Sequence, residues 1–195
     1  MDNGGVKGFP GSEHVEDGHS ILEKECDILL PAALESQITL ENADRIRTKI
    51  IAEAANGPVT FGADGVLREK GVVIIPDAFL NAGGVTVSYF EWIKNLSHIR
   101  FGRMERRYEE AQSRGLVAAI EEATGNTISD ATKKTLIAGP DEIDLVRSGL
   151  DDTMRGAYNH IREIYLERDS VVDLRTAAFV LSIERIAQCY KSMEL

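Results

Sequence analysis

The sequence lacks several features that would each have fixed its class. It has no excess of basic residues, because 22 Lys and Arg stand against 32 Asp and Glu, and the formal net charge of −10 argues against nucleic acid as a partner. Only two cysteines, Cys26 and Cys189, occur in 195 residues without a secretory-leader pattern, so we expect free thiols in a reducing compartment. No apolar run reaches the roughly 18 residues that span a bilayer.

Three short apolar runs, each followed by small or polar residues, are typical of buried parallel strands. They cover residues 26–31, 48–53 and 71–76, and the intervening residues 34–43 and 62–70 are predicted to be helical. This alternation predicts an α/β fold with a partial doubly wound, Rossmann-like parallel sheet. Such sheets bind ligands beyond the carboxyl ends of their strands, where a dinucleotide would lie.

Half of a doubly wound sheet is missing from this pattern. The glycine-rich turn G-x-G-x-x-G, which brings a pyrophosphate to a helix N-terminus, does not occur in the sequence. The first eleven residues have the composition of a loop, and a loop this long normally connects two elements. We therefore expect the first half of a nucleotide-binding domain to lie upstream of Met1.

Beyond Trp92 the chain is predicted to be entirely helical. Helices are expected over residues 104–122, 142–147 and 155–167, with a stop at Gly125 and an irregular stretch around Gly139. The last helix, from Leu174, carries two apolar stripes and should pack against a neighbour. We divide the chain into residues 1–92, the C-terminal half of a dinucleotide-binding domain, 93–148, a helical insertion, and 149–195, the closing helices.

Residues 14–19 contain two histidines and two carboxylates, which are possible metal ligands. The segment lacks the helical period that would hold His14 and His19 on one face, so we interpret it as a polar surface loop. No metal site is predicted.

The segment Leu80–Trp92, LNAGGVTVSYFEW, carries the clearest chemical pattern. Asn81, Val85 and Ser88 share one stripe of a helix at positions i, i+4 and i+7. Gly83, with the glycine after it, lets the backbone approach a flat ligand such as a nicotinamide ring, and the Ser88 hydroxyl suits a carboxylate. The alternative is a simple Gly-Gly turn before a helix, with no function.

Four segments together resemble one family. In chain order they are DILLPAA at 27–33, AEAANGP at 52–58, LNAGGVTVSYFEW at 80–92 and DLRTAA at 173–178. They are similar to the C-terminal portion of glutamate dehydrogenases, within the Glu/Leu/Phe/Val dehydrogenase family. The resemblance implies oxidative deamination of L-glutamate to 2-oxoglutarate and ammonia, with NAD or NADP as the cofactor that accepts a hydride from Cα.

The resemblance also implies roles for single residues. Asn81, Val85 and Ser88 would bind the substrate, with the Ser88 hydroxyl on a distal carboxylate, which favours glutamate over leucine or valine. The implied cofactor contacts are Ala32, Ala33, Asn56, Asn81 and Gly83. The family's catalytic lysine and aspartate belong to an N-terminal substrate domain, so we expect no catalytic residue and no turnover in this chain alone.

The resemblance extends to assembly and regulation. Residues 103–145 resemble the antenna of animal-type hexameric enzymes, which implies a homo-oligomer. The resemblance does not fix the compartment, which is either the cytoplasm or the mitochondrial matrix. Arg147 stands where that subgroup has a histidine, and Gly156 and Asn159 where it has basic residues, which argues against a purine nucleotide site. Arg175 is interpreted as a surface or interdomain ion pair rather than a ligand.

Two other interpretations stay open. In the first, the chain is a truncated paralogue that no longer catalyses and joins a full-length partner through its helices as an assembly or regulatory subunit. An unrelated acidic, helical interaction protein would require the resemblance of residues 81–92 to be coincidence.

Overall fold

The structure, a computed structural model, describes residues 8–97, 103–138 and 142–193. Its strands are β1 (Ile28–Leu29), β2 (Ile50–Ala52) and β3 (Val73–Ile75). Its α-helices are α1 (Phe61–Glu69), α2 (Asp77–Leu80), α3 (Ala82–Ser97), α4 (Arg103–Thr124), α5 (Asp130–Ile137), α6 (Glu142–Glu167) and α7 (Leu174–Ser192). The chain forms two compact units, Met1–Ala82 with Tyr158–Leu195, and Gly83–Ala157.

The first unit is built on a parallel sheet in the order β1-β2-β3. Ile28 pairs with Ile50, which in turn pairs with Val73. The predicted α/β class and the three predicted strands are confirmed, although each strand is shorter than its apolar run. β1 lies at an edge, and its Ile28 is 52% exposed.

The sheet and α1 share the main hydrophobic core of the first unit. α1, predicted at 62–70, follows β2 and buries Ala63 and Leu67 completely. The buried members of this core are Ile38, Ala43, Ile46, Ile51, Val59, Ala63, Leu67, Val72 and Ile74. The apolar positions of the strands therefore face a common interior, as a sheet covered by crossover segments requires.

The predicted helix over residues 34–43 is wrong. Ser36 has a φ of +52°, which lies outside the right-handed helical region. The backbone N–H groups of Gln37 and Ile38 both donate to the Pro58 carbonyl at 2.9 Å, and Ile38 forms a parallel bridge with Val59. The segment is irregular rather than helical because its backbone hydrogen bonds go to a neighbouring loop, and only a 3₁₀ turn, Ala43–Arg45, follows.

The last helix, α7, closes the first unit. Ala177 and Ala178 are buried in a second core with Ile161, Ile164 and Val171. The second apolar stripe of α7 is exposed, and it consists of Phe179, Ile183, Ile186 and Tyr190. The predicted amphipathic helix is confirmed, with one of its two apolar stripes packed.

The second unit contains the paired helices α4 and α5. α4 ends at Gly125, whose φ of +66° is typical of a helix stop, as predicted. α5 was not predicted; Ser129 caps its first turn by accepting a hydrogen bond from the Thr132 N–H at 3.2 Å. The expected irregular stretch includes residues 139–141, which lie outside the described residues.

α6 is one continuous helix of 26 residues, so the two separate segments predicted over 142–167 are wrong. The helix continues through Gly149, where the Phe90 ring would lie 3.2 Å from an added Cβ. Close packing thus explains this glycine without a break. Within the described ranges, none of the helices is long and apolar enough to cross a membrane.

Candidate functional site at the carboxyl edge of the sheet

The loops that follow the three strands meet at one edge of the first unit. The Pro31 carbonyl, after β1, accepts hydrogen bonds from the N–H groups of Ala54 and Ala55 at 3.1 and 2.9 Å. The N–H of Glu53, at the end of β2, donates to the Ile75 carbonyl of β3 at 3.1 Å. These bonds fix the three loops relative to one another, at the edge where parallel sheets bind ligands.

Two predicted site residues, Asn56 and Asn81, contact each other at this edge. The Asn81 Nδ2 donates to the Asn56 Oδ1, which joins the loop after β2 to the end of α2. This pairing leaves the Nδ2 donors of Asn56 and the Oδ1 acceptor of Asn81 for a ligand. Asn56 is exposed and Asn81 half-buried, so the pair is accessible from solvent.

Ala32 and Ala33, also predicted site residues, line a cavity of about 380 Å³ beyond β1. The cavity is also lined by Gly18, His19, Leu22, Leu30, Pro31, Leu34 and Gln37. Both alanines are exposed, and their small side chains leave the backbone of the loop open to a ligand. The Pro31 carbonyl bonds place this loop directly beside the one that carries Asn56.

The remaining predicted residues, Gly83, Val85 and Ser88, lie on α3 and belong to the second unit. Val85 is 72% exposed. The Ser88 hydroxyl donates to the Gly84 carbonyl at 3.0 Å, so it must turn away from its own helix to donate to a carboxylate. A Cβ added to Gly83 would lie 3.7 Å from Leu150, an ordinary contact.

A buried cluster of charges lies under the loops. Glu53 has no exposed surface, and both of its carboxylate oxygens accept hydrogen bonds from Nη2 of Arg175 in α7, at 2.8 and 2.9 Å. The same guanidinium donates to Asp64 of α1 at 3.1 Å and to Asp77 of α2 at 3.2 Å. One cation therefore binds three carboxylates that come from different elements.

The cluster is balanced in part by a second arginine. Arg68 donates to Asp64 at 2.7 Å and contacts Asp173, the N-cap of α7, at 3.1 Å. Burial lowers the pKa of Arg175, but hydrogen bonds and charge from Glu53 and Asp64 outweigh it and raise that pKa above its ordinary value. Arg175 is thus a permanent cation, and its charge is paired with carboxylates of the first unit.

Arg175 forms the ion pair that the sequence predicted, but within one unit and largely buried rather than at the surface. The sequence pattern did not point to Glu53, Asp64 or Asp77 as partners of Arg175. The one available signal was Glu53 itself, a carboxylate directly after an apolar strand and followed by two alanines.

In the part of the chain that the structure describes, no group of three or more His, Cys, Asp or Glu side chains is arranged to hold a metal ion. In the segment that holds His14 and His19, the Asp17 carboxylate instead accepts from the His19 N–H at 3.1 Å and caps a 3₁₀ helix, Gly18–Glu23.

Comparison with known proteins decides the family. The sequence profile of the Glutamate/Leucine/Phenylalanine/Valine dehydrogenases matches residues 2–143. The chain belongs to this dehydrogenase family. The match includes the loops after all three strands, with Asn56 and Asn81, and continues through α3, α4 and α5.

Individual members of the dehydrogenase family match over almost the whole chain. The mitochondrial glutamate dehydrogenase of Dictyostelium discoideum is 47% identical over 192 residues, which are 98% of this chain and 38% of that protein. A probable glutamate dehydrogenase of Sinorhizobium fredii is 46% identical over 94% of the chain and 42% of its own length. The chain thus spans about two fifths of the length of these relatives.

Solved structures of the family share the fold. The crystal structure of glutamate dehydrogenase from Peptoniphilus asaccharolyticus matches 84% of this chain and 31% of its own, with 30% identity and a TM-score of 0.51. A leucine-bound, hetero-hexameric glutamate dehydrogenase from Thermus thermophilus matches 87% of this chain and 31% of its own, with 19% identity and a TM-score of 0.59. The latter likeness concerns the fold alone.

Proposed function

We propose that this chain forms the C-terminal part of a glutamate dehydrogenase, which oxidatively deaminates L-glutamate to 2-oxoglutarate and ammonia. The observation that carries the proposal is the Asn56–Asn81 pair at the carboxyl edge of the sheet. A nicotinamide carboxamide needs both a donor and an acceptor, and the pair offers Nδ2 of Asn56 and Oδ1 of Asn81. The open loop at Ala32 and Ala33 suits the adjoining ribose.

The chemistry that NAD or NADP would supply when bound is that of a hydride acceptor for Cα of the substrate. The part of this chain is to bind and orient. Asn56 and Asn81 hold the nicotinamide end, and Gly83 lets the backbone come close to the ring. Val85 packs against the substrate side chain. The Ser88 hydroxyl turns from the Gly84 carbonyl to the distal carboxylate, which selects glutamate.

Proton transfer and carbonyl polarisation need groups that we assign to no residue of this chain. We expect the 195 residues alone to show no glutamate-dependent reduction of NAD⁺ or NADP⁺. The sharp test is a chimera in which this chain replaces the matching 38% of the Dictyostelium enzyme. An active chimera supports the proposal, whereas a folded and inactive one contradicts it.

The substrate assignment is tested by Ser88→Ala in that chimera. A hydrogen bond to a charged group contributes about 1.5–3 kcal/mol, so kcat/KM for glutamate should fall about 10- to 150-fold. Activity on leucine or valine should not fall. Ser182→Ala is the matched control, because the Ser182 hydroxyl donates to the Ala178 carbonyl in the same way on another helix. Equal losses in both variants would contradict the role of Ser88.

The proposed assembly is a homo-oligomer, a hexamer, in the cytoplasm or the mitochondrial matrix; the Dictyostelium relative is named as mitochondrial. We further propose that α4 and α5 act as an antenna between subunits.

A second candidate function is that of a non-catalytic partner subunit, which the exposed apolar stripe of α7 favours. Immunoblotting and intact-mass measurement from source cells separate the two: a 21.4 kDa species supports the partner role, and one of the relatives' length supports the enzyme.

A further inference from the structure

Asp77, the first residue of α2, connects the two asparagines of the candidate site through its backbone and side chain. Its Oδ2 accepts a hydrogen bond from the N–H of Gly57, the residue after Asn56, at 2.8 Å. Its carbonyl accepts from the N–H of Asn81 at 3.2 Å. The Asp77 side chain therefore holds the peptide that follows Asn56, and the Asp77 backbone holds Asn81 itself.

Asp77 itself is held from two sides. Its N–H donates to Glu53 Oε2 at 2.8 Å, and its Oδ1 accepts from Arg175 Nη1 at 3.2 Å and from the Ala78 N–H at 2.8 Å. Arg175 also binds Glu53, so one guanidinium fixes both the backbone and the carboxylate of Asp77. No second cation contacts Asp77 in the described part of the chain.

We propose that Arg175, on the last helix, is a positioning residue for the cofactor loop. It acts through Asp77 to set the separation of Asn56 and Asn81, and hence the donor–acceptor pair presented to the nicotinamide. The link to the cofactor rests on the proposed function, whereas the ordering of the Gly57 loop does not. If Arg175 only stabilised the fold, its replacement would loosen the whole unit rather than the Gly57 loop.

Arg175→Lys is the decisive variant. It keeps the positive charge, but a single ammonium cannot reproduce the forked contacts of a guanidinium with three carboxylates. Arg168→Lys is the matched control. Two nitrogens of Arg168 bind the carboxylate of Glu184 in α7, and the Arg168 side chain has no bond to the loops.

The first readout is amide hydrogen exchange, measured in the Dictyostelium chimera, because the isolated chain is not expected to fold alone. In Arg175→Lys, the Gly57 amide should exchange about tenfold faster, because its acceptor is no longer fixed, while the core amide of Ile51 is unchanged. Arg168→Lys should change neither amide. The proposal is overturned if Gly57 is unaffected, or if Gly57 and Ile51 accelerate equally.

The second readout is the steady-state kinetics of the Dictyostelium chimera. Arg175→Lys should raise KM for the nicotinamide cofactor about tenfold and leave kcat within a few fold. Unchanged kinetics with a mobile Gly57 would overturn the link to the cofactor, whereas an inactive parent chimera counts against the proposed function alone. If Arg175→Lys fails to fold, Glu53→Gln weakens the hold on Arg175 and keeps the Asp77 carboxylate that accepts from the Gly57 N–H. It should accelerate Gly57 likewise, and an unchanged Gly57 amide would overturn the proposal.

Discussion

Gly57 turns the loop after β2 with a φ of +50°, in the left-handed region that costs a side-chain-bearing residue about 1–2 kcal/mol. An added Cβ would meet no atom within 4 Å, so the cost of Gly57→Ala is conformational strain alone. We expect this variant to lower the free energy of unfolding by about 1 kcal/mol, measured by urea denaturation.

Gly65 provides the opposite control. It lies inside α1, where an added Cβ also meets no atom within 4 Å. Alanine at this position should raise the free energy of unfolding by roughly 0.5–1 kcal/mol, since glycine weakens a helix interior. A loss of stability in both variants would show that the strain argument for Gly57 is wrong.

The sequence indicated which residues reach the candidate site, but not what holds them. The resemblance to the dehydrogenases implied roles for Ala32, Asn56 and Asn81, and the first two follow strands whereas Asn81 follows α2. The contact of Asp77 with Arg175 was not predictable, since the two residues are 98 positions apart and the pattern of neither segment points to the other. Buried ion pairs between distant segments leave no local signal.

At the scale of elements, the turn between α4 and α5 depends on Glu121. Its carboxylate accepts from the Ile128 N–H at 2.7 Å and pairs with Lys133 at 2.9 Å. The hydrogen bond from Lys133 and then the bond from Ile128 lower the pKa of Glu121 below its ordinary value. Its stabilising contribution is therefore present above the unfolded pKa and lost as the pH falls through the lower, folded one.

Exchange of the Ile128 amide against pH tests this turn. We expect its protection to decline as the pH falls below 4.5, the ordinary value for glutamate, and to be low at every pH in Glu121→Gln. The neighbouring, exposed Glu122→Gln is the control and should keep the wild-type profile. An unchanged pH profile in Glu121→Gln would contradict the role of this carboxylate.

Elements with a strong local pattern were predicted well, and those decided by distant contacts were not. The apolar runs predicted β1, β2 and β3, and Gly125 predicted the end of α4. Residues 34–43 have a composition compatible with a helix, yet the hydrogen bonds to the Pro58 carbonyl and the left-handed Ser36 keep them in irregular bends and turns. Tertiary hydrogen bonds overrode local propensity there.

For the whole molecule, β1 leaves one edge of the sheet open. Ile28, Leu30 and Leu34 are 52%, 58% and 64% exposed along this edge and the loop after it. Unpaired strand edges with apolar side chains favour association between chains. We therefore expect the isolated chain to be poorly soluble or to fold only with a partner.

Sedimentation of Ile28→Lys tests this expectation, because a charged edge residue discourages strand pairing. The variant should shift the chain toward monomer. Leu166→Lys is the control, as Leu166 is similarly exposed, at 59%, but lies on α6. A soluble wild-type monomer with a sharp, cooperative melt would refute the prediction.

The contact between Glu53 and Arg175 also dictates an order of events during synthesis. Arg175 is translated 122 residues after Glu53, which at about 5–20 residues per second is a delay of roughly 6–24 seconds. During that interval the carboxylates of Glu53, Asp64 and Asp77 have no Arg175 to gather them. The loop that carries Asn56 can therefore mature only after the last helix has been made, so a nascent chain cannot assemble this edge prematurely.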